Sequence, residues 1–145
     1  MDYGYVIGNK ANIRLLPGTN NQVVTQVDYG FLLKVFDLQN NWCSVEEVFE
    51  KLDAETIKGW ISKKYIKILK KESRYYGYIA NAKRVDTWSG PGEDFELWPY
   101  VHYNDFLRIL GSVGDWYAFY KENDRSVAGW VKKEFVIISA DGGED

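Results

Sequence analysis

A chain of 145 residues can form one average domain or two small ones of about 70 residues each, and the smaller size folds unaided only with dense packing. The net charge of −3 argues against the basic surface that sequence-independent nucleic-acid binding needs, and a single cysteine excludes an intrachain disulfide and a cysteine-based zinc cage. Aromatic residues make up 17% of the chain, with 6 Trp, 11 Tyr and 7 Phe, which is first a signal of small, ring-filled cores.

In chain order, the opening MDYGYVIG lacks both the basic region and the apolar core of a signal peptide, and no apolar run is long enough to span a membrane. The expectation is no membrane insertion. The protein is then cytoplasmic, or it belongs to the cell envelope or the secreted fraction with its leader removed. Pro17-Gly18 marks a tight turn. Residues 22–27 and 31–37 read as short strands rich in Val, Leu and Phe, separated by the turn-prone Asp28-Tyr29-Gly30. Residues 38–41 are a polar turn, and Trp42 opens the next strand. Val45, Val48, Phe49 and Leu52 also fit helical spacing. A strand leading into a long loop is preferred, because the corresponding stretch later in the chain holds no helix-length segment. A short helical turn over residues 50–55 is the alternative. Residues 70–74 form a short polar connector.

The second half repeats the first. Tyr3-Gly4-Tyr5 recurs as Tyr76-Gly77-Tyr78, Pro17-Gly18 as Pro91-Gly92, and Trp42 as Trp116, with 25 residues from Pro to Trp in both copies. Val27 matches Val101, Leu33 matches Leu107 and Val35 matches Ile109. Gly59-Trp60 matches Gly129-Trp130, and Tyr65 matches Phe135. The copies differ mainly between their paired Trp markers, 18 residues apart in the first and 14 in the second, as a hairpin loop of variable length produces. In the second copy, residues 106–110, 116–120 and 127–131 read as strands, with turns at 111–115 and 121–126. Gly before Trp60 and Trp130 suits a close backbone approach where a small barrel bends, with those Trp filling the seam. The fold expected is all-β, two small barrels in tandem over residues 1–71 and 72–145, the second with an acidic tail at 141–145. The first carries ten Lys/Arg against eight Asp/Glu and the second eight against thirteen, giving +2 and −5.

The string Ala11-Asn12-Ile13-Arg14-Leu15-Leu16-Pro17-Gly18 resembles the L-N-V-R-x-G-P-G signature of bacterial SH3-like domains. The family's order continues through residues 31–36, Asn41-Trp42 and residues 59–66. Val85 to Gly92, Asp115-Trp116 and Gly129-Trp130-Val131 play the same parts in the second copy. The resemblance covers about residues 3–69 and 76–138, and implies two SH3-like β-barrels. It departs at Leu16, where the family usually has Gly, at Trp88, which stands where Arg14 stands in copy one, and at Thr87, which replaces Ile13.

Catalytic equipment is sparse. Cys43 and His102 could pair only across the two repeats, and the sequence holds no Gly-rich phosphate loop, His-based metal motif or nucleophile elbow. No catalytic residue, cofactor or metal is assigned, and the chain reads as a non-enzymatic binding module. The basic run Lys58, Lys63, Lys64, Lys67, Lys70, Lys71 and Arg74 is read as a solvated strand end and linker, with contact to an anionic polymer as the alternative. Trp88, Trp98, Tyr100, Tyr75 and Tyr76 exceed what one core of about 70 residues can hold. They form either a platform for a peptide or sugar face, or a cover over the contact between the barrels. The resemblance implies recognition of cell-wall peptidoglycan peptides, with a protein partner bound as an extended peptide as the alternative. The candidate contacts are Arg14, Asn41, Trp42 and Tyr65 in copy one, and Trp88, Trp98, Asp115, Trp116 and Phe135 in copy two.

Overall fold

The computed structural model describes residues 1–70 and 76–139. The connector residues 71–74, Tyr75 and the acidic tail therefore lie outside the described residues. The chain divides into two compact units, Met1–Leu69 and one that begins at Lys70.

The first unit is a seven-stranded antiparallel sheet built from β1 (Asp2–Val6), β2 (Ala11–Arg14), β3 (Val23–Val27), β4 (Leu32–Gln39), β5 (Trp42–Glu47), β6 (Lys58–Ser62) and β7 (Ile66–Ile68). Its order is β3-β2-β6-β5-β4-β1-β7. The second unit has β8 (Tyr76–Ile79), β9 (Arg84–Trp88), β10 (Leu97–His102), β11 (Phe106–Val113), β12 (Trp116–Lys121), β13 (Asp124–Lys132) and β14 (Val136–Ile138) in the corresponding order β10-β9-β13-β12-β11-β8-β14. A single 3₁₀ turn, Lys63–Tyr65 or Lys133–Phe135, precedes the last strand of each. Both units are small SH3-like barrels.

Period-two alternation produces each core. Along β2, Ala11 and Ile13 turn inward and join Val6, Val27, Leu33, Val35, Cys43, Val45, Ile61 and Ile66. The second core gathers Ile79, Val85, Val101, Leu107, Ile109, Tyr117, Phe119 and Val131. Tyr117 and Phe119 stand where the first unit has Cys43 and Val45, so rings there do the filling that aliphatic chains do in the first. Ile61 and Val131 belong to these clusters, while Trp60 and Trp130, next along the same strands, lie outside them; Trp60 is half-buried and Trp130 is 0% exposed. The glycines before them do serve close approach: a Cβ at Gly59 would lie 2.4 Å from the Arg14 carbonyl oxygen.

Several strands run further than their sequence predicts. β4 continues through Leu38 and Gln39, and β11 through Val113, because each absorbs a register shift, between Val35 and Leu38 or between Ile109 and Gly111. The hairpin turns shrink to Asn40-Asn41 and Gly114-Asp115, whose first residues are left-handed at φ 54° and 55°. Strand β13 starts at Asp124, so the expected tip over 121–126 is also shorter. After β5, residues 48–57 form a loop with no helical turn. Buried Glu47 ties its base: its backbone N–H donates to Ile57 O at 2.9 Å, its Oε1 accepts from Ile57 N–H at 2.8 Å, and Lys51 Nζ lies 3.2 Å from that oxygen.

The polar Thr87 within the second barrel has a structural reason. It is 1% exposed, and its hydroxyl donates to Pro99 O at 2.7 Å, within the β10 irregularity between Trp98 and Val101. A bulge takes a carbonyl out of the ladder, and a hydroxyl satisfies it where the Ile13 side chain could not.

Candidate functional site

In the first unit, four elements converge on one open groove of about 780 Å³. The Asn40-Asn41 turn delivers Trp42 at the start of β5. The Asn41 carbonyl accepts from Lys63 N–H at 2.8 Å, which fixes the 3₁₀ turn carrying Lys63, Lys64 and Tyr65 against it. The Tyr65 carbonyl accepts from Ile7 N–H at 2.9 Å, and its ring lies on Gly8, where a Cβ would come within 2.9 Å of it. Arg14 ends β2, and its Nη1 donates to Asn21 O at 2.8 Å, joining it to the loop between β2 and β3. Asn9, Lys10, Asn12, Thr19 and Ser62 complete most of the lining. The sequence-selected Arg14, Asn41, Trp42 and Tyr65 thus share one groove.

Trp42 is half-buried and Tyr65 is 37% exposed, so each ring has a supported side and an open side. Such rings take the apolar face of a ligand, while amides and cations around them fix its polar groups. Lys64 Nζ lies 5.1 Å from the centre of the Tyr65 ring.

The second unit builds the same place from the same backbone bonds. Lys133 N–H donates to Asp115 O at 2.9 Å, and Ala80 N–H donates to Phe135 O at 2.8 Å. The groove there is about 420 Å³ and is lined by Gly92, Glu93, Asp115, Trp116, Lys132, Lys133 and Glu134. Lys132 Nζ sits 2.7 Å from Glu93 Oε2, and this hydrogen bond holds the lysine's pKa above its ordinary value. Trp88 meets Trp116 edge to face with centres 6.5 Å apart, leaving Trp116 only 9% exposed.

Of the five sequence-selected residues in this unit, Asp115 and Trp116 line the groove, and Trp88 packs beside Trp116. Trp98 lies elsewhere. It pairs with Thr87, its ring lies within 2.9 Å of where a Gly129 Cβ would stand, and its Nε1–H donates to Glu96 Oε1 at 3.1 Å. Phe135 packs against the second core. Among the described residues, these aromatic side chains do not gather into one platform. Tyr76 stacks on Phe106 at 5.3 Å, and Tyr100 lies beside His102 at 5.2 Å with Arg84 over its ring at 4.5 Å.

The one thiol is enclosed: Cys43 is 4% exposed, and burial pushes its pKa up, away from the thiolate that nucleophilic chemistry needs. His102 is exposed beside Asp105, with Nδ1 3.8 Å from Oδ2. Among the described residues no group of three or more His, Cys, Asp or Glu could hold a metal ion, and no helix is long and apolar enough to cross a membrane.

Residues 9–67 match the bacterial SH3 domain family, a span that contains every lining residue of the first groove. Among solved structures, the chain is similar to NlpC2 from Trichomonas vaginalis, at 13% identity and a TM-score of 0.41 over 95% of this chain and 48% of that one. It is similar to NlpC1 from the same organism, at 12% and 0.42 over 95% and 46%. An NlpC/P60 family protein from Bacillus cereus aligns at 15% and 0.38 over 94% and 56%. The chain spans about half the length of these structures. Comparison with curated proteins returned no match. The first unit is thus similar to bacterial SH3 domains over residues 9–67, and with its strand order repeated in the second the chain is two SH3-like barrels in tandem.

Proposed function

We propose that this chain is a non-catalytic cell-wall targeting module that recognises peptidoglycan peptides through the groove of its first unit, and so acts at the cell envelope. The observation that carries the reading is the convergence of Arg14, Asn41, Trp42 and Tyr65 on one open groove. Bacterial SH3 domains are generally binding rather than catalytic domains, and this groove lies within the part of the chain that matches them. An extended peptide needs what the groove offers, namely apolar ring faces for its side chains and amides to meet its backbone.

The test is sedimentation of the purified chain with insoluble peptidoglycan, beside Trp42→Ala and Tyr65→Ala variants whose folding is checked by circular dichroism. Wild-type chain in the pellet, and folded variants left in the supernatant, is the expected result. A wild-type chain that stays in the supernatant overturns the reading. Capture of one defined protein partner would then favour the adaptor role instead.

A further inference from the structure

Charge around the first groove is one-sided. Lys10, Arg14, Lys63 and Lys64 line it, and no carboxylate does. None of these four cations has an ion-pair partner among the described residues. A concave site with one sign of charge focuses its field and concentrates ligands of the other sign. The equivalent groove in the second unit is opposite in character, with Glu93, Asp115 and Glu134 against Lys132 and Lys133.

Backbone conformation is a second, independent observation. Four non-glycine residues among those described have positive φ, and three are Asn, whose short polar side chain tolerates the left-handed region. The fourth is Lys10, at φ 53°. A long side chain adopts this conformation only against a steric penalty, and strain of this kind collects at ligand sites. Here it falls on a lysine that lines the groove.

We propose that the first groove selects a free carboxylate on an extended peptide, and that the second groove does not. The proposal rests on the first groove being the ligand site. Arg14 offers a planar fork suited to a carboxylate, and its Nη1 bond to Asn21 O holds that fork in place. Lys10, Lys63 and Lys64 supply the surrounding field, and Trp42 and Tyr65 take the apolar face of the peptide. The amides of Asn9, Asn12 and Asn41 favour a peptide over a phosphate polymer, because they complement backbone N–H and C=O groups.

The test titrates four fluorescent probes into the full chain by anisotropy. They are a peptidoglycan stem peptide with free carboxylates, the same peptide with every carboxylate amidated, an acidic all-L peptide of unrelated sequence, and a glycerol phosphate polymer. Amidation is expected to weaken binding about tenfold or more, and 0.5 M salt (about a 4 Å Debye length) to weaken only the free acids. The exposed pair Lys63→Glu with Lys64→Glu weakens the free acid at least about tenfold and leaves the amidated probe within about twofold. Lys10→Asn keeps a left-handed backbone without the charge, so it weakens the free acid about threefold with no loss of thermal stability. Equal binding of the amidated peptide, preference for the phosphate polymer, or no binding of either acidic peptide overturns the carboxylate assignment, whatever the chain does with whole walls. If the chain fails to sediment with walls but binds the acidic all-L peptide with the same dependence on Lys63 and Lys64, the assignment stands and the wall reading fails.

Discussion

The two grooves show how far side chains alone can change a site on a shared backbone. The same turn-to-3₁₀ hydrogen bond, 2.8 Å in one unit and 2.9 Å in the other, sets both. Where the first unit has Thr19 and Ser62, the second has Glu93 and Lys132, which pair at 2.7 Å. Where the first has Arg14 reaching to Asn21, the second has Trp88 against Trp116. The volume falls from about 780 to about 420 Å³, and the lining changes from four cations without an acid to two cations with three acids. Duplication has kept the scaffold and changed the rim.

The comparison extends into the cores, and the largest expected effect lies there. Phe119 is fully buried where the first unit has Val45, so Phe119→Ala should lower stability by about 3–5 kcal/mol in urea unfolding, with Val45→Ala lowering it less. Equal losses would mean that the second core does not depend on its ring. Next is Thr87, whose hydroxyl satisfies the Pro99 carbonyl. Thr87→Val should cost about 1–3 kcal/mol by leaving that carbonyl unsatisfied, although it adds a methyl group to an apolar barrel. No loss on thermal melting would refute the role given to the bulge.

A transplant tests the grooves directly. Trp88→Arg, Glu93→Thr and Glu134→Lys together move the second unit's rim toward the first's, leaving Asp115 and Lys132 in place of Asn41 and Ser62. A second ligand should then bind, with affinity within about tenfold of the first site, raising the stoichiometry from one to two in calorimetry. A folded triple variant that still binds one ligand would show that more than the rim separates the two. The smallest effect concerns Asp124, which accepts from the Ser126 N–H at 3.1 Å and from its hydroxyl at 2.5 Å. These bonds hold its pKa below the ordinary carboxylate value. A depressed carboxylate stabilises the folded hairpin above its ordinary pKa and loses that contribution as pH falls through the lowered one. The Ser126 amide shift in NMR should stay constant from neutral pH down to the ordinary carboxylate range and move only below it.

Much of this architecture was legible in the sequence, because repetition at fixed spacing marks equivalent positions without any need to place them in space. Arg14, Asn41, Trp42 and Tyr65 stand at such marks, and they share a groove. Features that depend on contacts distant in sequence were not legible. Glu93 and Lys132 pair across 39 residues, and nothing local to either announces it. Lys63 and Lys64 read as part of a solvated basic run, and folding separates them from it by placing the 3₁₀ turn against Asn41. Trp98 reads from the sequence as one ring of a platform or cover shared with Trp88, but the register of β9 and β10 sets it beside Thr87, away from the groove. The strand ends also escaped, since a bulge shifts the register without a distinctive residue.

The Glu47 clamp makes the 48–57 loop a candidate grafting point for the protein engineer. Both ends of the loop meet at one carboxylate and one backbone bond, and Leu52 near its middle is 98% exposed. Each doubling of such a loop adds only about 0.6 kcal/mol of closure entropy. A reporter peptide spliced between Asp53 and Ala54 would sit outside the clamp and leave the barrel's hydrogen-bonded frame as it is.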